Sequence, residues 1–220
     1  MSIHHVIFDC DGVLIDSEEI SMEVDRMLLA ENGVHISEGE MHRRFVGKTF
    51  AAMVSEVEAQ CGHALPADLE ARKDVLMLDI YRKQLKPIAG VREVLPLIGL
   101  PKSIGTNGPR ARALQALEIV GIRQHFGDRM TTFEDVTNGK PAPDIYLLAA
   151  RRAGFAPGEC AVVEDSVTGV VAAVAAGCIT FGFTGSQVHR SEHALKLVEL
   201  GATAVFDDMA RLPELIAAFS

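Results

Sequence analysis

The stretch Phe8-Asp9-Cys10-Asp11-Gly12-Val13 sets two carboxylates two residues apart, directly after the apolar run Ile3 to Phe8. That run is rich in β-branched and aromatic residues and is soon ended by Gly12, which reads as a short buried strand. Alternate side chains share a face along an extended chain. If the extended geometry persists briefly past Phe8, Asp9 and Asp11 point the same way from the strand's carboxyl end, where open α/β sheets bind ligands. Two like charges held together repel unless a cation lies between them or one carries a proton. Either resolution is useful chemistry. An isolated Asp-x-Asp-Gly is more often a turn than a site, so the rest of the chain decides.

Further along, short apolar runs alternate with helical patterns. Strands are expected at Lys102 to Gly105, weakly at Arg129 to Thr132, and at Ala161 to Val163, Cys178 to Phe183 and Ala204 to Phe206. Helices are expected at Val91 to Ile98, Arg110 to Val120, from Pro143-Asp144 to Gly154, after Asp165, and at Met209 to Phe219. This alternation implies an α/β fold, a Rossmann-like, doubly wound parallel sheet covered on both faces. Between Ser17 and about Leu85 the pattern is wholly helical: Ile20, Val24, Met27 and Leu28 keep a 3.6-residue spacing until Asn32-Gly33. The expected organisation is a core of residues 1–16 and 87–220 with an inserted helical cap domain, 17–86, hinged beside the Asp pair.

Composition narrows the function classes. The 220 residues are 48% apolar and 23% charged, ordinary for a soluble globular protein. With 21 basic against 30 acidic residues the net charge is −9, and no basic block is present. Nucleic acid and anionic membranes are therefore not expected as partners. Cys10, Cys61, Cys160 and Cys178 are scattered without a Cys-x-x-Cys spacing, which argues against a zinc site and for reduced thiols in a cytoplasmic setting. His4 and His5 lack a partner motif and are expected at a strand edge. The chain enters its first strand with no room for a signal peptide. The uncharged segment Gly169 to Gly185 is shorter than the roughly 20 residues of a spanning helix. Gly177 divides it into a buried helix and a buried strand.

Four strand ends carry polar groups: Asp9/Asp11, Thr106-Asn107, Lys140-Pro141 after the weak strand, and Glu164-Asp165. In a parallel sheet these ends converge on one edge. Carboxylate and carbonyl oxygens suit a hard ion such as Mg²⁺, and a lysine with a hydroxyl at a helix start suits a phosphate. Taken singly, Lys140 reads as a solvated loop lysine, Thr106 as a cap and Glu164-Asp165 as a turn. It is the ordered set that favours a site. Cys10, of opposite strand parity, is expected to point into packing.

The ordered set resembles the haloacid dehalogenase-like hydrolases, in the phosphatase and phosphomutase branch with a helical cap. The matching stretches are Asp9-Cys10-Asp11-Gly12-Val13-Leu14 with Asp16-Ser17-Glu18, Thr106-Asn107-Gly108, Lys140-Pro141-Ala142-Pro143-Asp144 and Val163-Glu164-Asp165-Ser166. By that resemblance Asp9 is the nucleophile that forms an aspartyl-phosphate, and Asp11 is the general acid and base. Mg²⁺ is held by Asp9, the Asp11 carbonyl and Asp165, with or without Glu164. Thr106 and the backbone near Asn107 bind phosphoryl oxygens, and Lys140 balances the charge of Asp9 and the phosphate.

Within the family, an acid two residues after the nucleophile marks phosphoryl transfer over dehalogenation, because a halide needs no proton. The resemblance therefore implies a Mg²⁺-dependent phosphatase acting on a small phosphorylated metabolite, a sugar or sugar-acid phosphate such as 6-phosphogluconate, as a monomer or weak homo-oligomer. One alternative is a β-phosphoglucomutase. Its close relatives carry a histidine at the place of Ser21, and a Lys-Gly-x-Ser-Arg-like loop where this chain reads Val46-Gly47-Lys48-Thr49-Phe50. A second alternative is a catalytically degenerate binding protein, against which intact Asp9, Asp11, Lys140 and Asp165 argue. Arg43, Arg44 and Lys48 are candidate cap contacts to a second charge on the substrate, with a solvated basic helix face as the plain alternative.

Overall fold

The opening run forms β1, His5–Phe8, at the centre of a six-stranded sheet in a computed structural model that describes residues 2–45, 48–187 and 190–219. The other strands are β4 (Lys102–Thr106), β5 (Met130–Thr132), β6 (Cys160–Glu164), β7 (Ile179–Phe183) and β8 (Ala204–Phe206). Their order is β5-β4-β1-β6-β7-β8, and every pairing is parallel. A parallel sheet needs helical crossovers and is covered on its faces. Accordingly β1, β4, β6 and β7 are buried along their whole length. The doubly wound α/β architecture expected from the sequence is the one observed.

Register decides where the site falls. Phe8 lies opposite Ile104 and Val163, so β1, β4 and β6 end side by side. Asp9 therefore emerges beside Glu164, at the end of the sheet where β4 closes with Thr106. The helices of the crossovers are α5 (Val91–Val94), α6 (Arg110–Ile119), α7 (Asp144–Ala153), α8 (Val167–Ala175) and α9 (Arg190–Glu199), and α10 (Leu212–Ala217) follows the last strand. Ile7, Ile145, Tyr146, Ala149, Val162 and Ala172 belong to one buried core cluster, in which residues of β1 and β6 meet residues of α7 and α8. Burying a Val or Ile side chain of this cluster contributes about 1.5–3 kcal/mol.

By its contacts the chain divides into two compact units, Met1–Asp16 with Lys86–Ser220, and Ser17–Leu85. The second unit is α1 (Glu18–Glu31), α2 (Glu38–Phe45), α3 (Phe50–Cys61) and α4 (Leu69–Gln84). Its interior holds Val24, Leu28, Met41, Phe45, Met53, Val57, Met77 and Tyr81, with a buried Lys73–Asp25 ion pair at 2.7 Å.

Several local features depart from the sequence reading. The helix expected over 91–98 stops at Val94, because Pro96 has no N–H to continue it. A two-stranded antiparallel ribbon, β2 (Ile15–Asp16) with β3 (Lys86–Pro87), stands where both connections leave for the helical unit. Two residues per strand carry no readable period. Helix α9 was not anticipated; it buries Leu197 and leaves its other large apolar residues, Leu195 and Val198, exposed. His5, expected at a strand edge, is fully buried in the central strand, with Nε2 at 2.7 Å from Ser103 Oγ. Burial, with Arg129 nearby, pushes its imidazole down to about 4. Among the described residues, no helix is long and apolar enough to cross a membrane. The segment Gly169 to Gly185 divides into α8 and β7, as read.

Candidate active site

The ladder of β1 continues through Asp9, whose N–H donates to the Val163 carbonyl at 2.9 Å. The chain then turns sharply. Gly12 adopts φ 76°, and its N–H returns to the Ile15 carbonyl at 2.9 Å. A side chain at Gly12 is doubly excluded: the backbone lies in the left-handed region, and a Cβ would sit 2.1 Å from Asp165 Oδ2. Cys10 is buried, as its parity implied.

Lys140 is the hub of the site. Its side chain is only 3% exposed, and Nζ donates to Asp9 Oδ1 at 2.7 Å and to Glu164 Oε1 at 2.6 Å. Asn107 grips the Lys140 backbone: Oδ1 accepts the Lys140 N–H at 2.9 Å, and Nδ2 donates to the Lys140 carbonyl at 3.1 Å. The Asn107 side chain is thus engaged with the Lys140 backbone. Thr106 is buried, and its Oγ1 accepts the Gly108 N–H at 2.9 Å. A Cβ at Gly108 would lie 3.3 Å from Thr106 Oγ1 and 3.5 Å from both Asp11 Oδ2 and Arg112 Nη2. Hydroxyl, acid and guanidinium therefore border one small notch beside the turn.

Glu164 is wholly buried with both oxygens engaged. Oε1 accepts from Lys140 and from the Tyr146 hydroxyl at 2.7 Å; Oε2 accepts from Ser166 N at 2.9 Å and Ser166 Oγ at 3.0 Å. The same Ser166 Oγ accepts the Gly169 N–H at 3.0 Å and so caps α8. Gly169 has no room for a side chain, since a Cβ there would meet Glu164 Oε1 at 1.7 Å. Holding Lys140 is thus a task for Glu164 in its own right.

Asp9, Glu164 and Asp165 offer oxygens that all lie within 4.8 Å of one another. Three buried acids facing one ammonium leave negative charge in excess. Burial, with Glu164 and Asp11 close by, pushes the Asp9 carboxyl up to about 7 against the pull of Lys140. The same carboxylates outweigh burial at Lys140 and hold it protonated, above the usual lysine range. An all-oxygen donor set with surplus negative charge fits a hard divalent cation.

Sequence reasoning missed Tyr146, Gly169, Gln187 and His193. Tyr146 places its ring 4.9 Å from Lys140 Nζ, and the last two hold Asp165 by hydrogen bonds from Gln187 Nε2 at 3.1 Å and His193 Nε2 at 2.5 Å. None sits at a strand end, so no positional signal marked them. Of the basic residues considered for the helical unit, Arg44 is bound to Glu40 at 2.7 Å and Glu56 at 3.1 Å, and Lys48 to Glu56 at 2.6 Å. The neighbouring Val46 and Gly47 lie outside the described residues.

Residues 3–177 match the family model of the haloacid dehalogenase-like hydrolases. The chain belongs to this family. It is 33% identical over 215 residues to a phosphorylated carbohydrates phosphatase of Thermotoga maritima, covering 91% of this chain and 92% of the relative. It is 29% identical over 217 residues to a 6-phosphogluconate phosphatase of Escherichia coli, covering 97% and 94%. Among solved structures, a haloacid dehalogenase-like protein of unknown function from Agrobacterium tumefaciens superposes with a TM-score of 0.84 at 37% identity, covering 99% of each chain. The haloacid dehalogenase-like core thus holds Asp9, Lys140, Glu164 and Asp165 in one buried cluster, with Asp11 and Thr106 beside it.

Proposed function

We propose that the chain is a Mg²⁺-dependent phosphatase that hydrolyses a sugar or sugar-acid phosphate through an aspartyl-phosphate on Asp9. The observation that carries this is the different placement of the two acids of one turn. Asp9 is buried against the Lys140 ammonium at 2.7 Å, whereas half-buried Asp11 borders the notch with Thr106. The relatives named as carbohydrate-phosphate and 6-phosphogluconate phosphatases support the same class of substrate.

In this reading a carboxylate oxygen of Asp9 attacks phosphorus, and the bond from phosphorus to the substrate oxygen breaks. Asp11 gives its proton to the departing alkoxide. Water then attacks the phosphorus of the aspartyl-phosphate, Asp11 takes the water's proton, and the bond to Asp9 breaks to release inorganic phosphate. Lys140, oriented by Glu164 and by the Asn107 grip, balances charge on Asp9 and on the phosphoryl oxygens. Thr106 Oγ1 and the backbone at Asn107 hold those oxygens. Asp9, Asp165 and the Asp11 carbonyl would hold Mg²⁺, with Glu164 behind them; the bound ion shields the like charges of nucleophile and phosphate. The helical unit is read as the cap that selects the substrate.

Turnover of p-nitrophenyl phosphate with Mg²⁺ tests this reading. Turnover no higher than that of an Asp9→Asn control would refute it. Mutase chemistry is distinguished by incubation with β-glucose 1-phosphate and phosphorus NMR. Free phosphate is expected to appear faster than glucose 6-phosphate; the reverse order would make the protein a mutase.

A further inference from the structure

Two hydrogen bonds to Asp165 come from outside the four motifs that mark the site. Gln187 Nε2, in the segment after β7, donates to Asp165 Oδ2 at 3.1 Å. His193 Nε2, on α9, donates to the Asp165 backbone carbonyl at 2.5 Å. The Oδ2 atom also occupies the notch at Gly12, where a Cβ would approach to 2.1 Å. One carboxylate oxygen is thus seated by a missing side chain and bonded by an amide, while the backbone behind it is tied to a helix.

Gln187 is itself anchored. Its N–H donates to the Thr184 carbonyl at 3.1 Å, and its carbonyl accepts from Arg190 Nε at 3.4 Å. Arg190 Nη2 also donates to the Gly185 carbonyl at 2.9 Å. The orientation of the Gln187 amide follows from its partner: turned over, it would set a carbonyl oxygen against a carboxylate oxygen. The contact of His193 with a carbonyl requires a proton on Nε2.

We propose that Gln187 and His193 are positioning residues for Asp165, and that they set the divalent-cation affinity of the site without touching the ion, the substrate or the reacting atoms. The proposal rests on the reading of Asp165 as a metal ligand. A carboxylate at a strand end has two side-chain torsions to lose when it binds a cation. Fixing it beforehand removes that entropic cost from the binding step. Loss of such outer partners typically costs 10–100-fold in metal affinity.

The test is a titration of the metal-free full-length protein with Mn²⁺, counting free ion by electron paramagnetic resonance. It compares wild type with Gln187→Leu, His193→Phe and His193→Gln. The Leu and Phe variants should raise the dissociation constant about tenfold, while His193→Gln, which keeps an N–H donor, should stay within about threefold of wild type. Unchanged constants in both Gln187→Leu and His193→Phe overturn the proposal. Equal loss in His193→Gln and His193→Phe reduces His193 to packing and overturns its part. If His193→Phe does not fold, Gln187→Leu decides. A wild type with no stoichiometric Mn²⁺ site, or a site that survives Asp165→Asn at full affinity, overturns the reading of the metal centre instead.

Discussion

Replacing Gly169 by alanine sets two rules against each other. Gly169 lies inside α8, where alanine is favoured over glycine by about 1 kcal/mol. Propensity alone therefore predicts a more stable protein. Against this, the added Cβ would stand 1.7 Å from Glu164 Oε1, 1.8 Å from Cδ and 2.2 Å from Oε2. The carboxylate is the end of a flexible side chain, but it is wholly buried and held by Lys140, Tyr146 and Ser166 at 2.6–3.0 Å. It has to withdraw by more than about an ångström, which breaks at least two of four contacts to a charged acceptor at ~1.5–3 kcal/mol each. After subtracting the gain in propensity, Gly169→Ala should destabilise by about 2–5 kcal/mol. Gly39→Ala is the control: Gly39 also lies in a helix, and its added Cβ meets only Arg43 Nη1, at 3.5 Å. That variant should be neutral or stabilised by up to about 1 kcal/mol. Urea unfolding followed by circular dichroism reads both, and kcat should fall in Gly169→Ala because Lys140 loses one of its two anchors. A Gly169→Ala protein as stable and as active as wild type would refute the claim that Glu164 is pinned.

Three other outcomes follow from the same geometry. Lys140→Met, measured in EDTA, should destabilise by about 3–5 kcal/mol through an uncompensated pair of buried acids, and more at pH 8 than at pH 6, where a proton relieves the pair; equal loss at both values would contradict this. Tyr146→Phe removes one donor to Glu164 and should lower kcat about tenfold with KM little changed, through a looser Lys140, checked by steady-state kinetics. Burial holds His5 at about 4 in the fold against an ordinary 6.5. The unfolded chain thus binds the extra proton, and stability present above pH 6.5 is lost as pH falls toward 4. From pH 7.5 to 5 the loss is about 2 kcal/mol, and His5→Asn should abolish it in denaturant unfolding at the two values.

The parts legible in the sequence were those written in a regular period or at a strand end. Buried β strands show as short, mostly apolar runs, so β1, β6 and β7 could be placed, and register then set the ends of β1, β4 and β6 side by side. Gly154, with φ 83°, closes α7 where its position implied. The β2–β3 ribbon was not legible, since two residues show no alternation. Helix α9 buries Leu197 but leaves Leu195 and Val198 exposed, so its apolar residues do not mark one buried face. The division of labour among the acids was hidden for a different reason. Nothing local in Glu164-Asp165 tells which acid grips Lys140, because that depends on Tyr146, Ser166 and Gly169 reaching it through the fold. His5 likewise had no visible partner, since Ser103 lies 98 residues away in sequence.

The most direct test of the central claim is the chemical state of Asp9 during turnover. The protein is mixed with Mg²⁺ and a phosphorylated substrate, quenched in acid within the first turnover, and its peptides are weighed by mass spectrometry. The peptide carrying Asp9 should gain the mass of one phosphoryl group, transiently in wild type and never in Asp9→Asn. Turnover without that peptide at any time point, or turnover that survives Asp9→Asn, would contradict a covalent role for the first acid of the pair.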